Sequence, residues 1–197
     1  MRVMKFHLNA VLVYRFIVTL MVGVFLIGCS VNKQPKTIFE TSFAQESIEG
    51  KLINAFKGRV LLVVNISSKC GTTPQLSELE ELYQKFKDRE FLVLGFPSED
   101  FGPMDTKTEA EIRSFCRTHY NVTFPLFGVT KVTGPHQNSF FRYLTSQRDT
   151  GLEGEITFNF EKFLINKEGR LIARFGSFTG PMSHRLIQSI EWALDEK

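Results

Sequence analysis

The chain has 197 residues, of which 43% are hydrophobic and 20 are phenylalanine, so it can bury one core of ordinary domain size, and a single folded domain is expected. Its formal charge of +3 is carried by Arg2, Lys5 and Arg15. The rest of the chain holds as many basic as acidic side chains, which argues against a nucleic-acid partner.

Residues 1–28 contain no acidic side chain and end in the apolar run "FIVTLMVGVFLIG" before Cys29, the pattern of an export signal. The run is short for a bilayer-crossing helix, which wants roughly 20 apolar residues, and Arg15 prevents its extension to the left. "LIGC", Leu26 to Cys29, resembles the lipobox of bacterial lipoproteins, which implies cleavage before Cys29 and lipidation of its thiol. Ser30 stands where an Asp would imply inner-membrane retention, so an outer-membrane anchor on the periplasmic side is favoured. The alternatives are an ordinary secretory signal and a signal anchor in the inner membrane. Residues 29–38 then form the lipidated cysteine and a polar tether containing Pro35, and residues 39–197 the domain. Two thiols remain, Cys70 and Cys116. One disulfide adds little to a domain with ample core, so a redox role is at least as natural as a structural one, even in an oxidising compartment.

Along the domain, "SIEG", Ser47 to Gly50, reads as a hairpin turn. "GRVLLVVNI", Gly58 to Ile66, is a continuous aliphatic run of the kind buried on both faces of a sheet, hence a central strand. Leu76, Leu79, Leu82, Tyr83 and Phe86 follow at helical spacing, with Thr73 as expected N-cap and Pro74 in the first turn. "FLVLGF", Phe91 to Phe96, is a second buried strand, and strand, helix and strand make a right-handed crossover with a parallel pair. A second helix is expected over Glu109 to Tyr120, with Ile112, Phe115, Cys116 and His119 on one face. "FLINKEGRLIARF", Phe163 to Phe175, alternates and turns at Lys167 to Gly169 as a hairpin. A last helix runs from about Ser183 to Asp195. This is the order of an α/β thioredoxin-like fold, a central mixed sheet flanked by helices, although periodicity leaves other mixed sheets open.

Cys70 falls between the carboxyl end of the central strand and the following helix, the usual place for reactive groups in an open α/β sheet. Unpaired amides there lower a thiol's pKa by stabilising its thiolate. A buried, inert cysteine is the bland alternative.

"NISSKCGTTPQ", "LEELYQKFKDREFLVLGFP", "FCRTHYNVTFP" and "FNFEKFLINKEGR" together resemble the glutathione peroxidase family across about Phe39 to Leu194. The resemblance implies a thioredoxin fold, reduction of hydrogen peroxide or organic and lipid hydroperoxides, protection against oxidative stress, and Cys70 as nucleophile, with cysteine in place of selenocysteine. In the cysteine-type members a resolving cysteine stands where "SFCRTHY" places Cys116. That implies a Cys70 sulfenic acid, then a Cys70–Cys116 disulfide reopened by a thioredoxin-like dithiol, with glutathione the alternative reductant. Packing against Ile112 and Phe115 is the alternative role for Cys116.

The family's Gln, Trp and Asn around the sulfur are only partly kept. Asn159 matches, Asp100 stands in place of the Gln, Phe158 in place of the Trp, and Thr72 where an aromatic is common. Phe158 has no N–H to donate. An ionised Asp100 about 6 Å from the thiolate would cost nearly 3 kcal/mol at an effective dielectric of about 20, or about two pKa units. Asp100 is therefore protonated and donating, or turned outward, or the enzyme is slow; Glu99 beside it favours the outward reading. The rival function is a catalytically impaired lipoprotein that keeps the fold for binding or redox sensing. His119, His136 and His184 are scattered, so no metal is expected, nor any cofactor. The domain is expected to be a monomer, tethered to a membrane by its lipid, and such an anchor favours lipid hydroperoxides.

Overall fold

Residues 60–66 are apolar except Asn65, and every one of them is buried, which a strand achieves only at the centre of a sheet covered on both faces. The structure is a computed structural model and describes residues 37–40, 47–48, 51–104 and 108–196. The expected signal segment, Cys29, the tether as far as residue 36, and residues 49 and 50 of the expected turn lie outside the described residues.

Short strands β1 (Ser47–Ile48) and β2 (Lys51–Leu52) pair antiparallel, Ser47 opposite Leu52. The main sheet contains β3 (Val60–Ile66), β4 (Phe91–Pro97), β5 (Lys162–Ile165) and β6 (Leu171–Phe175), in the order β4-β3-β5-β6. β4 runs parallel to β3, joined by helix α1 (Gln75–Phe86); β5 and β6 form the antiparallel hairpin. Helices α2 (Glu109–Tyr120), α3 (Ser139–Thr145) and α4 (His184–Asp195) complete the α-helices among the described residues. The sequence reading thus holds for fold class, with a mixed sheet and helices on both faces in the thioredoxin-like arrangement.

Alternation along the strands divides the core. Leu62, Val64, Val93 and Leu164 face Leu76, Leu79 and Leu82 of α1, Ile112 and Cys116 of α2, and Ile190 of α4. Leu61, Val63, Leu94 and Phe163 face the other way, against Phe140, Phe141 and Leu144 of α3. That second face is aromatic: Phe96 stacks on Phe127 with ring centroids 3.8 Å apart and meets Phe141 edge-on at 5.1 Å.

At the outer edge of β4, Gly95 donates to Pro125 O at 3.0 Å and accepts from Phe127 N at 2.8 Å. A Cβ there would lie 2.7 Å from the Leu126 side chain, so glycine lets this segment cover the edge without displacing that side chain. Helix α2 starts with a capping box, Thr108 with Glu111, and ends at Asn121 in the left-handed region, φ 54°. Buried Glu80 of α1 accepts from Thr123 N at 2.7 Å and Thr123 Oγ1 at 2.6 Å, fastening the chain that leaves α2 to α1.

Candidate active site

Thr73 occupies the position that sequence assigns to a helix N-cap, but its hydroxyl closes the loop before the helix instead. Its Oγ1 accepts from Cys70 N at 2.9 Å and donates to Ser67 O at 3.0 Å, while Thr73 N donates to Cys70 O at 3.0 Å. The cap position falls to Pro74, which has no side chain to offer the first amides of α1. A threonine that can bond backbone two or three residues away competes with its own capping role, and here the loop wins. The result is a rigid turn that presents Cys70 half-buried at the carboxyl end of β3.

The thiol is more acidic than an ordinary cysteine. Burial alone would raise its pKa, but hydrogen bonds from the Thr72 hydroxyl, the Thr72 amide, the Asn159 side chain and the Gly71 amide more than offset that cost. Thr72 Oγ1 lies 3.1 Å from Cys70 Sγ. The donors are therefore the turn's own amides and hydroxyl, a small anion-binding nest, together with one residue from across the sheet. Cys116 is the opposite case. It is 1% exposed on α2, and burial pushes its thiol up to about 11. Both cysteines are free.

Asn159 reaches the sulfur because buried polar side chains hold the turn that carries it. Asn65 Nδ2 donates to Phe158 O at 3.0 Å, and Asn65 Oδ1 accepts from Glu161 N at 2.9 Å. Lys162 Nζ donates to Phe160 O at 2.8 Å, beside a left-handed φ of 63° at Phe160. Glu161 pairs with Arg174 at 2.7 Å, and Arg174 binds the carbonyls of Leu152, Gly154 and Glu155. Asn159 itself is 1% exposed, and its Oδ1 has no hydrogen-bond partner.

Asp100 is not on a solvated loop, as its neighbour Glu99 suggested; its side chain is only 8% exposed. Its Oδ2 accepts from Val132 N at 2.6 Å and Thr133 N at 3.1 Å, and its Oδ1 faces Lys131 Nζ at 3.1 Å. Burial would raise its pKa, but the Val132 amide, Lys131 and the Thr133 amide hold it below the ordinary carboxylate value. Both oxygens are thus committed to the 131–133 segment. Asp100→Gln is accordingly expected to leave the peroxide rate unimproved, and Asp100→Ala to lower stability by about 2 kcal/mol by stranding two amides. A carboxylate whose folded pKa lies below its unfolded value stabilises the fold above that unfolded value and loses the contribution as pH falls through the folded one. The stability difference between wild type and Asp100→Ala in urea should therefore narrow at acid pH, and a constant difference down to pH 2 contradicts the assignment.

Phe158 keeps an aromatic wall beside Asn159. It stacks on Phe178 with centroids 6.1 Å apart and lies 6.3 Å from Phe101, and Phe178 is 85% exposed. Gln75 Nε2 donates to Ser177 O at 2.7 Å, which ties the Phe178 loop to the start of α1. Sequence reading passed over Thr72 as a site residue, although a hydroxyl two residues from a candidate nucleophile was visible.

Comparison with known proteins bears on the family of the whole domain. The family profile described as glutathione peroxidase matches residues 38–145, more than half of the chain. The chain belongs to the glutathione peroxidase family. It is 46% identical over 129 residues to glutathione peroxidase-like peroxiredoxin 2 of Saccharomyces cerevisiae, covering 64% of this chain and 79% of that protein. To the hydroperoxy fatty acid reductase gpx1 of a Synechocystis species it is 40% identical over 147 residues, covering 71% and 87%. The crystal structure of Trgpx in apo form matches with a TM-score of 0.61 and 31% identity over 80% of this chain and 97% of that one. Membership of the glutathione peroxidase family makes this chain a thiol-dependent peroxidase.

Proposed function

We propose that Cys70 is the peroxidatic thiol of this peroxidase and Cys116 its resolving thiol, acting on organic hydroperoxides with a thioredoxin-like dithiol as reductant. The contrast between the two sulfurs carries the reading: one is held acidic by four hydrogen bonds at a half-open turn, the other is sealed in the core and kept protonated. Cys70 thiolate attacks the terminal peroxide oxygen. The S–O bond forms as the O–O bond breaks, sulfur is oxidised by two electrons, and the departing alkoxide takes a proton from water to become the alcohol. Asn159 stays beside the sulfur, its side chain hydrogen-bonded to the thiolate. The Cys116 thiol then attacks the Cys70 sulfenic acid, water leaves, and a disulfide remains for an external dithiol to reduce.

Burial of Cys116 sets a condition on the second step, because a thiol that is 1% exposed on α2 reaches Cys70 only if that helix opens locally. The experiment is to treat reduced protein with one equivalent of hydroperoxide and map its thiols by mass spectrometry. Wild type is expected to yield the Cys70–Cys116 disulfide. Cys116→Ser is expected to accumulate Cys70 sulfenic acid and to lose thioredoxin-driven turnover while keeping turnover with glutathione. A Cys70 thiol that survives peroxide sinks the proposal.

The Synechocystis relative is named for hydroperoxy fatty acids, and the exposed Phe178 ring, with the half-buried Phe101 and Phe158 beside it, offers an apolar rim for such a chain. Lipidation at Cys29, outer-membrane attachment and a monomeric domain complete the proposed picture. Ile38 N donates to Gly169 O at 2.9 Å, in the turn of the β5–β6 hairpin, and Ile38 is fully buried there. That turn lies at the starting end of β3, whereas Cys70 follows its far end, about 20 Å away along seven residues of strand. The chain thus enters this domain at the pole opposite the thiol.

A further inference from the structure

Three side chains are expected to donate to the sulfur in the glutathione peroxidase family, and this chain retains one. The Asp100 carboxylate has no proton to give and is bound to residues 131–133, and Phe158 carries no N–H. Such a site would leave the thiolate underpaired, yet a hydroxyl stands 3.1 Å from the sulfur, on Thr72. We propose that Thr72 is a catalytic residue of this peroxidase, its hydroxyl taking over the thiolate-binding role of the two missing donors. The inference rests on Cys70 being the peroxidatic thiol.

The direction of the bond follows from the charge state. While Cys70 is a thiol either atom can donate, but a thiolate only accepts, so ionisation fixes Thr72 Oγ1–H as donor and makes the bond charge-assisted. The loop keeps the hydroxyl in place: Thr73, the next residue, is 4% exposed and bonds both Ser67 and Cys70, so the segment has little freedom to swing the donor away.

One hydrogen bond to an ionised acceptor changes its ionisation constant by about tenfold. A less stabilised thiolate is also more nucleophilic, by about threefold for that change, so the net loss in rate below both midpoints is about threefold. This gives a crossover that a purely structural role would not produce. Thr72→Val, isosteric but without the hydroxyl, is expected to oxidise Cys70 about threefold more slowly than wild type at pH values below the wild-type midpoint. Above the alkaline midpoint, where both thiols are ionised, it should be faster by a similar factor. Its pH midpoint for alkylation of Cys70, read on the Cys70 peptide of the full chain, should move upward by the corresponding tenfold, while Thr72→Ser should follow wild type. Superimposed profiles for wild type and Thr72→Val, or a serine variant that behaves like valine, overturn the proposal. If wild-type Cys70 resists hydroperoxide at every pH, the peroxidase assignment of Cys70 fails, and the alkylation midpoints still decide whether Thr72 holds the thiolate.

Discussion

Replacing Cys70 by serine is expected to reduce hydroperoxide turnover at least roughly a thousandfold, with thioredoxin and with glutathione alike. The serine hydroxyl stays protonated where the thiol ionises, and oxygen lacks the polarisability that lets sulfur attack a peroxide bond. The substitution leaves the scaffold intact, because the bonds that shape the turn, Cys70 N to Thr73 Oγ1 and Thr73 N to Cys70 O, are made by backbone at residue 70. Loss of activity with unchanged thermal unfolding would thus isolate the sulfur. The measurement is peroxide consumption coupled to each reductant in turn; turnover within tenfold of wild type would mean that some other group breaks the peroxide bond.

The effect should be far larger for Cys70 than for its neighbours because the site divides its work. Asn159 and the Gly71 and Thr72 amides lower the energy of a thiolate that exists without any single one of them. Asn65, Glu161, Lys162 and Arg174 do not touch the sulfur; they fix the turn from which Asn159 reaches it. This second group crosses the sheet from β3 to β6, so the donor geometry is built into the strand register rather than into a mobile loop.

The elements legible in the sequence are those whose cause is local. The aliphatic run of β3, the spacing of Leu76, Leu79 and Leu82, the shared face of Ile112 and Cys116 and the Lys167–Gly169 turn all state their structure within about a dozen residues. Helix α3 was missed because Ser139–Thr145 shows adjacent aromatics rather than a helical stripe; Phe140 and Phe141 are both fully buried, and only the Asn138 cap, accepting from Phe140 N, announced it. The site divides in the same way. Cys70 and Asn159 stood out by their sequence surroundings, whereas the fate of Asp100 depends on amides 32 and 33 residues further on, and no local pattern records that pairing. Thr73 shows the limit within a single residue, since one side chain suits a helix cap and a loop closure equally well and only the fold selects between them.

Lys162 is the least expected of the buried groups, a fully buried lysine on the same face of β5 as Leu164, and it gives a second large effect. Burial lowers its pKa to about 8, against which Glu78 and Glu161 raise it; its ordinary value is 10.5. Between those two values the unfolded chain binds a proton that the folded chain does not, so stability from this group rises with pH, by about 3 kcal/mol in all. Cys116 acts in the opposite sense. Its folded pKa of about 11 lies above the ordinary 9.0, so between those values the folded state keeps a proton that the unfolded state has lost, and stability falls by a similar amount. In wild type the two nearly cancel above pH 9. Lys162→Met removes the rise and leaves the fall. At pH 7 the variant is expected to be close to wild type, because relief from burying a charge is offset by the lost bond to Phe160 O. By pH 10.5 it should be less stable by about 3 kcal/mol. Urea unfolding at pH 7, 9 and 10.5 measures the divergence, and two curves that stay parallel across that range would show that Lys162 carries its proton in the folded state throughout.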